Sequence, residues 1–221
     1  MASTLYGRLI AQLDGLVVFM GLRDPEFFKS LQRWWRSSGE TTGDAQPPQS
    51  AEEYEQTIFR SALVLGVAYA EAYLADALRS AIRHDPRILA TRKKNVSWED
   101  VVKATDRDAL IAGMIEIELS EFTRLSTDGM LDYLSKHLPA SLCETDRCAA
   151  NEASVVRNLI IHNAAIANEE LHQLNSEHQV GRTIRLSGTQ VHNYGLRGRQ
   201  LLRTIDEQLV EKGHLSAHAQ T

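Results

Sequence analysis

Two cysteines in 221 residues rule out a disulfide framework. Cys143 and Cys148 stand at C-x4-C spacing, half of a zinc site, and none of the eight histidines has the paired spacing to complete it. They read as reduced thiols in a loop, with no metal and no cofactor implied. Basic charge is not in excess. Lys and Arg number 24 against 29 Asp and Glu, a net charge of −5, which argues against a broad nucleic-acid-binding surface and leaves room for a small basic site. Long apolar runs are missing near the start. Leu16-Val17-Val18-Phe19-Met20 lies between Asp14 and Arg23-Asp24-Pro25, too short to span a bilayer and without the basic start of a leader. The chain therefore reads as cytoplasmic, with no membrane contact. Aromatic content is only 6%, and neither repeats nor a series of strands is visible. What is plentiful is Ala, Leu, Ile, Arg and Glu, and the class that follows is all-α.

The helices are marked by periodicity and caps. Leu5, Leu9, Leu13, Leu16, Val17 and Met20 recur at helical spacing. Pro25 opens a second helix carrying Phe27, Phe28, Leu31, Trp34 and Trp35. Residues 1–36 form an N-terminal helical extension, 37–49 a polar linker with a Pro-Pro pair, 50–215 the main helical domain and 216–221 a tail. Ser50 to Glu53 is a capping box that opens a long helix to about His84. A helix starts after Ser97, another spans about Asp106–Leu125, and a short one runs over Thr127–Leu138 up to Pro139. The cysteine loop leads into a helix over about Glu152–Ser176. A minor short strand or hairpin is expected near residues 181–186. Ser187 to Gln190 caps a last helix to about Lys212.

The helix after the cysteines carries the chemistry. Val156-Arg157-Asn158-Leu159-Ile160-Ile161-His162-Asn163 puts an arginine, an amide and a histidine into an apolar segment, where an unpaired polar group costs several kcal/mol. At roughly 100° per residue, Asn151, Ser154, Asn158 and His162 share a narrow polar stripe opposite Val155, Val156, Leu159 and Ile160. Arg157 lies beside the stripe and can swing toward it. A histidine of ordinary pKa can take a proton from a ribose 2′-hydroxyl or return one to a leaving 5′-oxygen. An arginine can hold the phosphate and stabilise its extra charge, and an asparagine can orient the imidazole. Upstream, Glu71 falls in the apolar stripe of Val64, Val67, Leu74 and Leu78, while Asp76 turns outward. A carboxylate there needs a partner, most naturally a cation of the Arg157 helix. It could orient Arg157 or His162, or only anchor the two helices.

The run Arg157, Asn158, His162 resembles the motif of the HEPN superfamily, in which an arginine, usually followed by Asn, Asp or His, is separated from a closing histidine by four to six residues. The segments Val67–Leu74, Arg157–His162 and Val180–Ser187, in that order, are similar to the RiboL-PSP-type branch. The likeness covers about residues 50–212. It implies a HEPN-like helical bundle and a metal-independent endoribonuclease cutting RNA to a 2′,3′-cyclic phosphate and a 5′-hydroxyl. It also implies a homodimer in which His162 and Arg157 of two chains share one cleft. His162, Arg157 and Asn158 would be catalytic, with Glu71, Asn163 and Ser154 supporting. Asn163 departs from the glycine common at that position. The biological setting implied is a prokaryotic toxin–antitoxin or phage-defence system, with an antitoxin or other protein partner.

Several polar features remain. Arg182, Arg185, Arg197, Arg199 and Arg203 form a stretch without acids, and Arg182, Arg185 and Arg199 are candidate RNA-backbone contacts. The alternative is a solvated face paired with acidic helices such as Glu116–Glu121. His172, His178 and His192 read as surface histidines. Gly195 and Gly198 read as positions of close helix packing, and Trp34, Trp35 and Trp98 as core or interface residues. Two other functions stay open. One is a non-catalytic HEPN-like module binding RNA, a nucleotide or a protein; the other is a structural helical dimer with a buried polar network.

Overall fold

The computed structural model describes residues 2–21, 24, 26, 28–30, 32–33, 50–91, 97–138 and 141–216. The linker 37–49, Trp34, Trp35 and the C-terminal tail beyond residue 216 lie outside them. Among the described residues the chain is all-α: α1 (Thr4–Gly21), α2 (Ala51–His84), a 3-10 segment (Pro86–Thr91), α3 (Trp98–Lys103), α4 (Arg107–Phe122), α5 (Thr127–His137), α6 (Glu144–His162), α7 (Glu169–Leu174) and α8 (Gly188–Glu211). No strand forms there. Around residues 181–186 the chain turns at Gly181 and then makes one antiparallel bridge, Thr183 to Ile166, flanked by Ala167 N–H to Arg182 O and Ile184 N–H to Ala165 O.

The long helix α2 is the spine. Ser50 caps it by accepting from Glu53 N, and Asp85 ends it just before Pro86. By length and composition α2 is apolar enough to cross a membrane. Its two ends are buried by neighbours, with α1, α4, α6 and α8 packing against it, while a third of its most apolar stretch is buried in all. Leu74, Ala77, Leu78, Ala81 and Ile82 lie in the main core with Ile115, Phe122, Leu131, Leu134, Ile205 and Leu209. Toward the α2 N-terminus a second core joins Phe59, Ala62 and Leu63 to Val155, Val156 and Leu159 of α6 and to Ile184, Leu186 and Val191. That second core fixes α6 and the bridged segment on one side of the spine.

The N-terminal helix is built into the bundle. Tyr6 and Leu9 join the main core, and Ser3 bonds the fully buried Asp206 of α8 through both its backbone N–H and its hydroxyl. Tyr73 donates to the same carboxylate at 2.7 Å, and burial beside that acid pushes the Tyr73 phenol well above its ordinary pKa.

Three expectations need correction. Trp98 is 86% exposed, so the core half of its reading fails and the interface half is untouched; Val102 is 80% exposed on the same short helix. Gly195 and Gly198 of α8 face open space, so close packing is not their reason. His178 is buried, not a surface residue.

Candidate active site

The helix α6 begins and ends earlier than periodicity suggests. Cys143 is its N-cap residue and Cys148 lies within it, so the cysteine stretch is mostly helix; both thiols are free and exposed. Glu144 and Asp146 sit in the first turn, where the partial positive charge of the helix end favours acids. The last residue is His162 itself. Beyond it Ala164 and Ala165 adopt left-handed φ of 48° and 59°, Ala165 N–H bonds back to Leu159 O at 2.9 Å, and Asn163 Nδ2 bonds Ile166 O at 2.9 Å. The chain then resumes helix only at Glu169. Asn163 has φ of −132°, so the glycine usual there in the resembled proteins is not required; the strain falls on the two alanines. Left-handed backbone costs an L-residue about 1–2 kcal/mol. Ala164→Gly is therefore expected to raise stability by about 0.5–1 kcal/mol in urea unfolding.

Asn158 and His162 do share an exposed face, with Ile161 between them at 49% exposure. Neither side chain has a hydrogen-bond partner among the described residues. Arg157 does not swing to that stripe. Its guanidinium turns into the bundle, where Nη2 pairs with Glu71 Oε1. The two side chains keep only 20% and 22% of their exposure. Thr127 Oγ1 lies 3.0 Å from the same carboxylate oxygen and 2.8 Å from Ser154 Oγ. With one proton to give, Thr127 donates to the carboxylate, which leaves Ser154 to donate to Thr127. Arg157, Glu71 and Ser154 thus meet in one network with Thr127, which the sequence did not mark. Arg157 Nε is buried without an acceptor among the described residues, an unmatched donor that ordinarily costs about 1–3 kcal/mol.

Glu71→Ala would strand the Arg157 cation and remove the acceptor of Thr127. The expected loss is ~2–4 kcal/mol in chemical denaturation. A change below about 0.5 kcal/mol would mark the pair as one more surface ion pair.

The arginine stretch is largely neutralised. Arg185 pairs with Glu52, Arg197 with Asp146 at 3.2 Å, Arg199 with Asp14 at 3.7 Å and Arg203 with Glu207 at 3.0 Å. These acids are not those of Glu116–Glu121. Arg182 alone of the five has an exposed side chain without a partner among the described residues. A second polar centre carries no mark in the sequence. Glu152 of α6 accepts from Asn175 Nδ2 at 2.8 Å and Tyr194 Oη at 2.7 Å, with His178 Nε2 at 3.7 Å. Burial, then the bond to Glu152, drives the Tyr194 phenol up. No group of three metal-binding side chains occurs among the described residues.

Fold and site together define an all-α bundle presenting an exposed Asn158–His162 pair beside an arginine held by a part-buried carboxylate. Comparison with known proteins adds no relative: no family model, no curated protein and no solved structure matches the chain.

Proposed function

We propose that this chain is a metal-independent endoribonuclease of the HEPN type, acting in the cytoplasm of a prokaryote as a toxin or phage-defence effector. The observation that carries the reading is His162. It ends α6 exposed and unbonded among the described residues, one turn beyond the equally exposed Asn158. A side chain so free can reach a substrate without breaking a structural bond. In the reaction it takes the proton of the ribose 2′-hydroxyl, the 2′-oxygen attacks the adjacent phosphorus, and the 5′-oxygen leaves with a proton from a second acid. One chain offers one such imidazole, so the second comes from His162 of another copy across a two-fold axis. Exposed Ile161 on the same face supplies apolar surface for that contact. Arg157, oriented by Glu71, stabilises the charge on the pentacoordinate phosphorus. An antitoxin or other protein partner belongs to the same reading.

The Glu71 pair also favours a second reading. A guanidinium already bound to a carboxylate is less free to meet a phosphate, which suits a non-catalytic HEPN-like module that binds RNA, a nucleotide or a protein. The deciding experiment is cleavage of RNA in excess EDTA with identification of the product ends. Undiminished cleavage to 2′,3′-cyclic phosphates supports the ribonuclease. Loss of activity with EDTA points to a metal nuclease, and a folded protein that cuts nothing points to the binding module.

A further inference from the structure

Between α7 and α8 the chain forms a pocket of about 290 Å³ that the chemistry at His162 leaves unused. Two of its lining residues, Ala167 and Ile184, are apolar and buried. Others, Glu177 and Arg182, are exposed, and neither side chain makes a hydrogen bond or ion pair among the described residues. Arg185 also lines the pocket but is neutralised by Glu52. Gln190 spends its Oε1 on the α8 capping box and keeps its Nε2 donors. The pocket therefore offers the Arg182 cation, the Glu177 carboxylate and the amides of Gln179 and Gln190, beside His178 and Thr183, over an apolar base.

That set fits a ligand carrying an anion and a pair of adjacent donors. Among the standard nucleobases only guanine presents two neighbouring donors, N1–H and the N2 amino group, to the two oxygens of a carboxylate such as Glu177. Its O6 is an acceptor for an amide such as that of Gln190. A phosphate on the same nucleotide meets Arg182. The volume, at the small end of ligand pockets, suits one nucleotide and not several. The Thr183–Ile166 bridge ties this segment to the chain four residues past His162, a stretch that spans at most about 14 Å.

We propose that this pocket holds one guanosine nucleotide of a single-stranded RNA, splayed from the strand next to the linkage that His162 addresses. The neighbouring linkage rests on the ribonuclease reading; the recognition chemistry does not. Binding of short, uncleavable 2′-O-methyl oligonucleotides to the full chain tests it, with one guanosine replaced in turn by inosine, which lacks the N2 amino group, and by adenosine. The guanosine version should bind about tenfold tighter. Glu177→Gln should bring guanosine and inosine within about twofold of one another, with adenosine still weaker because it lacks the O6 acceptor for Gln190. Arg182→Ala should weaken all three alike and lower the salt dependence by about one counterion. Both side chains are free of structural bonds among the described residues, so both variants should melt with the wild type. Equal affinities, absence of binding, or a preference for guanosine over inosine that survives Glu177→Gln would overturn the proposal. Free guanosine monophosphate binding while the oligonucleotides show no base preference would overturn the strand assignment and leave a mononucleotide site. Cleavage of the matching RNAs is measured alongside: guanosine-dependent binding without cleavage removes the ribonuclease and keeps the pocket, and cleavage without base-dependent binding does the reverse.

Discussion

His162→Ala should lower RNA cleavage by about 10²–10⁴-fold while leaving the unfolding curve unchanged, because the residue is asked to move a proton and to hold nothing. Its side chain is exposed, sits at the last position of α6, and makes no hydrogen bond among the described residues. A loss of activity therefore cannot be blamed on a loosened bundle. Arg157→Ala makes the contrast: it should lose activity and stability together, since it leaves Glu71 without its cation. Single-turnover cleavage and urea unfolding on both variants separate the two behaviours. Activity in His162→Ala equal to wild type would remove the mechanism.

The largest effect on stability is expected at Asp206. This carboxylate is fully buried and accepts from Ser3 N–H, the Ser3 hydroxyl and the Tyr73 hydroxyl. Asp206→Ala leaves the backbone N–H and the phenol without an acceptor in a dry interior, each at about 1–3 kcal/mol, so a loss of about 3–5 kcal/mol is expected. Asp206→Asn keeps one acceptor oxygen and should lose less. Because Ser3 is tied here, the same substitution should also free the start of α1, read as early amide exchange in the first helical turn. An unfolding midpoint within about 1 kcal/mol of wild type would mean that the network contributes little to the fold.

Much of the fold could be read from local chemistry. Ser50 and Ser187 announced the starts of α2 and α8, and α2 ends at His84 as expected. Glu71 announced a buried partner because a lone carboxylate in an apolar stripe is costly unless a cation meets it, and the ion pair with Arg157 is there. The limits of α6 were hidden for different reasons. Its first two turns are polar and follow directly on Cys143, with Cys148 inside them, which imitates a loop, and its end depends on left-handed alanines, a conformation no alanine advertises. Asp206 was hidden by its setting: beside Glu207 on an amphipathic helix it looks solvated, and its partner Ser3 lies 203 residues away. Thr127 and Glu152 act through tertiary contacts of the same long-range kind. Which way Arg157 turned was a choice between two neighbours, made by the carboxylate.

The spine helix also works as a ruler. Gln56 grips the backbone of Leu186, Arg60 grips the carbonyl of Ile184, and Glu71 grips Arg157. At 100° per residue these three fall within an arc of about 60°, with Arg60 and Glu71 separated by about 16 Å, three turns. The spacing between the bridged segment and Arg157 is thus written into the register of one helix. Inserting a single residue between Arg60 and Glu71 would rotate the two grips apart by about a quarter-turn. Adding a full turn would restore their direction while displacing them along the axis. Length variation among natural variants of this chain should therefore collect in the connections and avoid the stretch between those two grips.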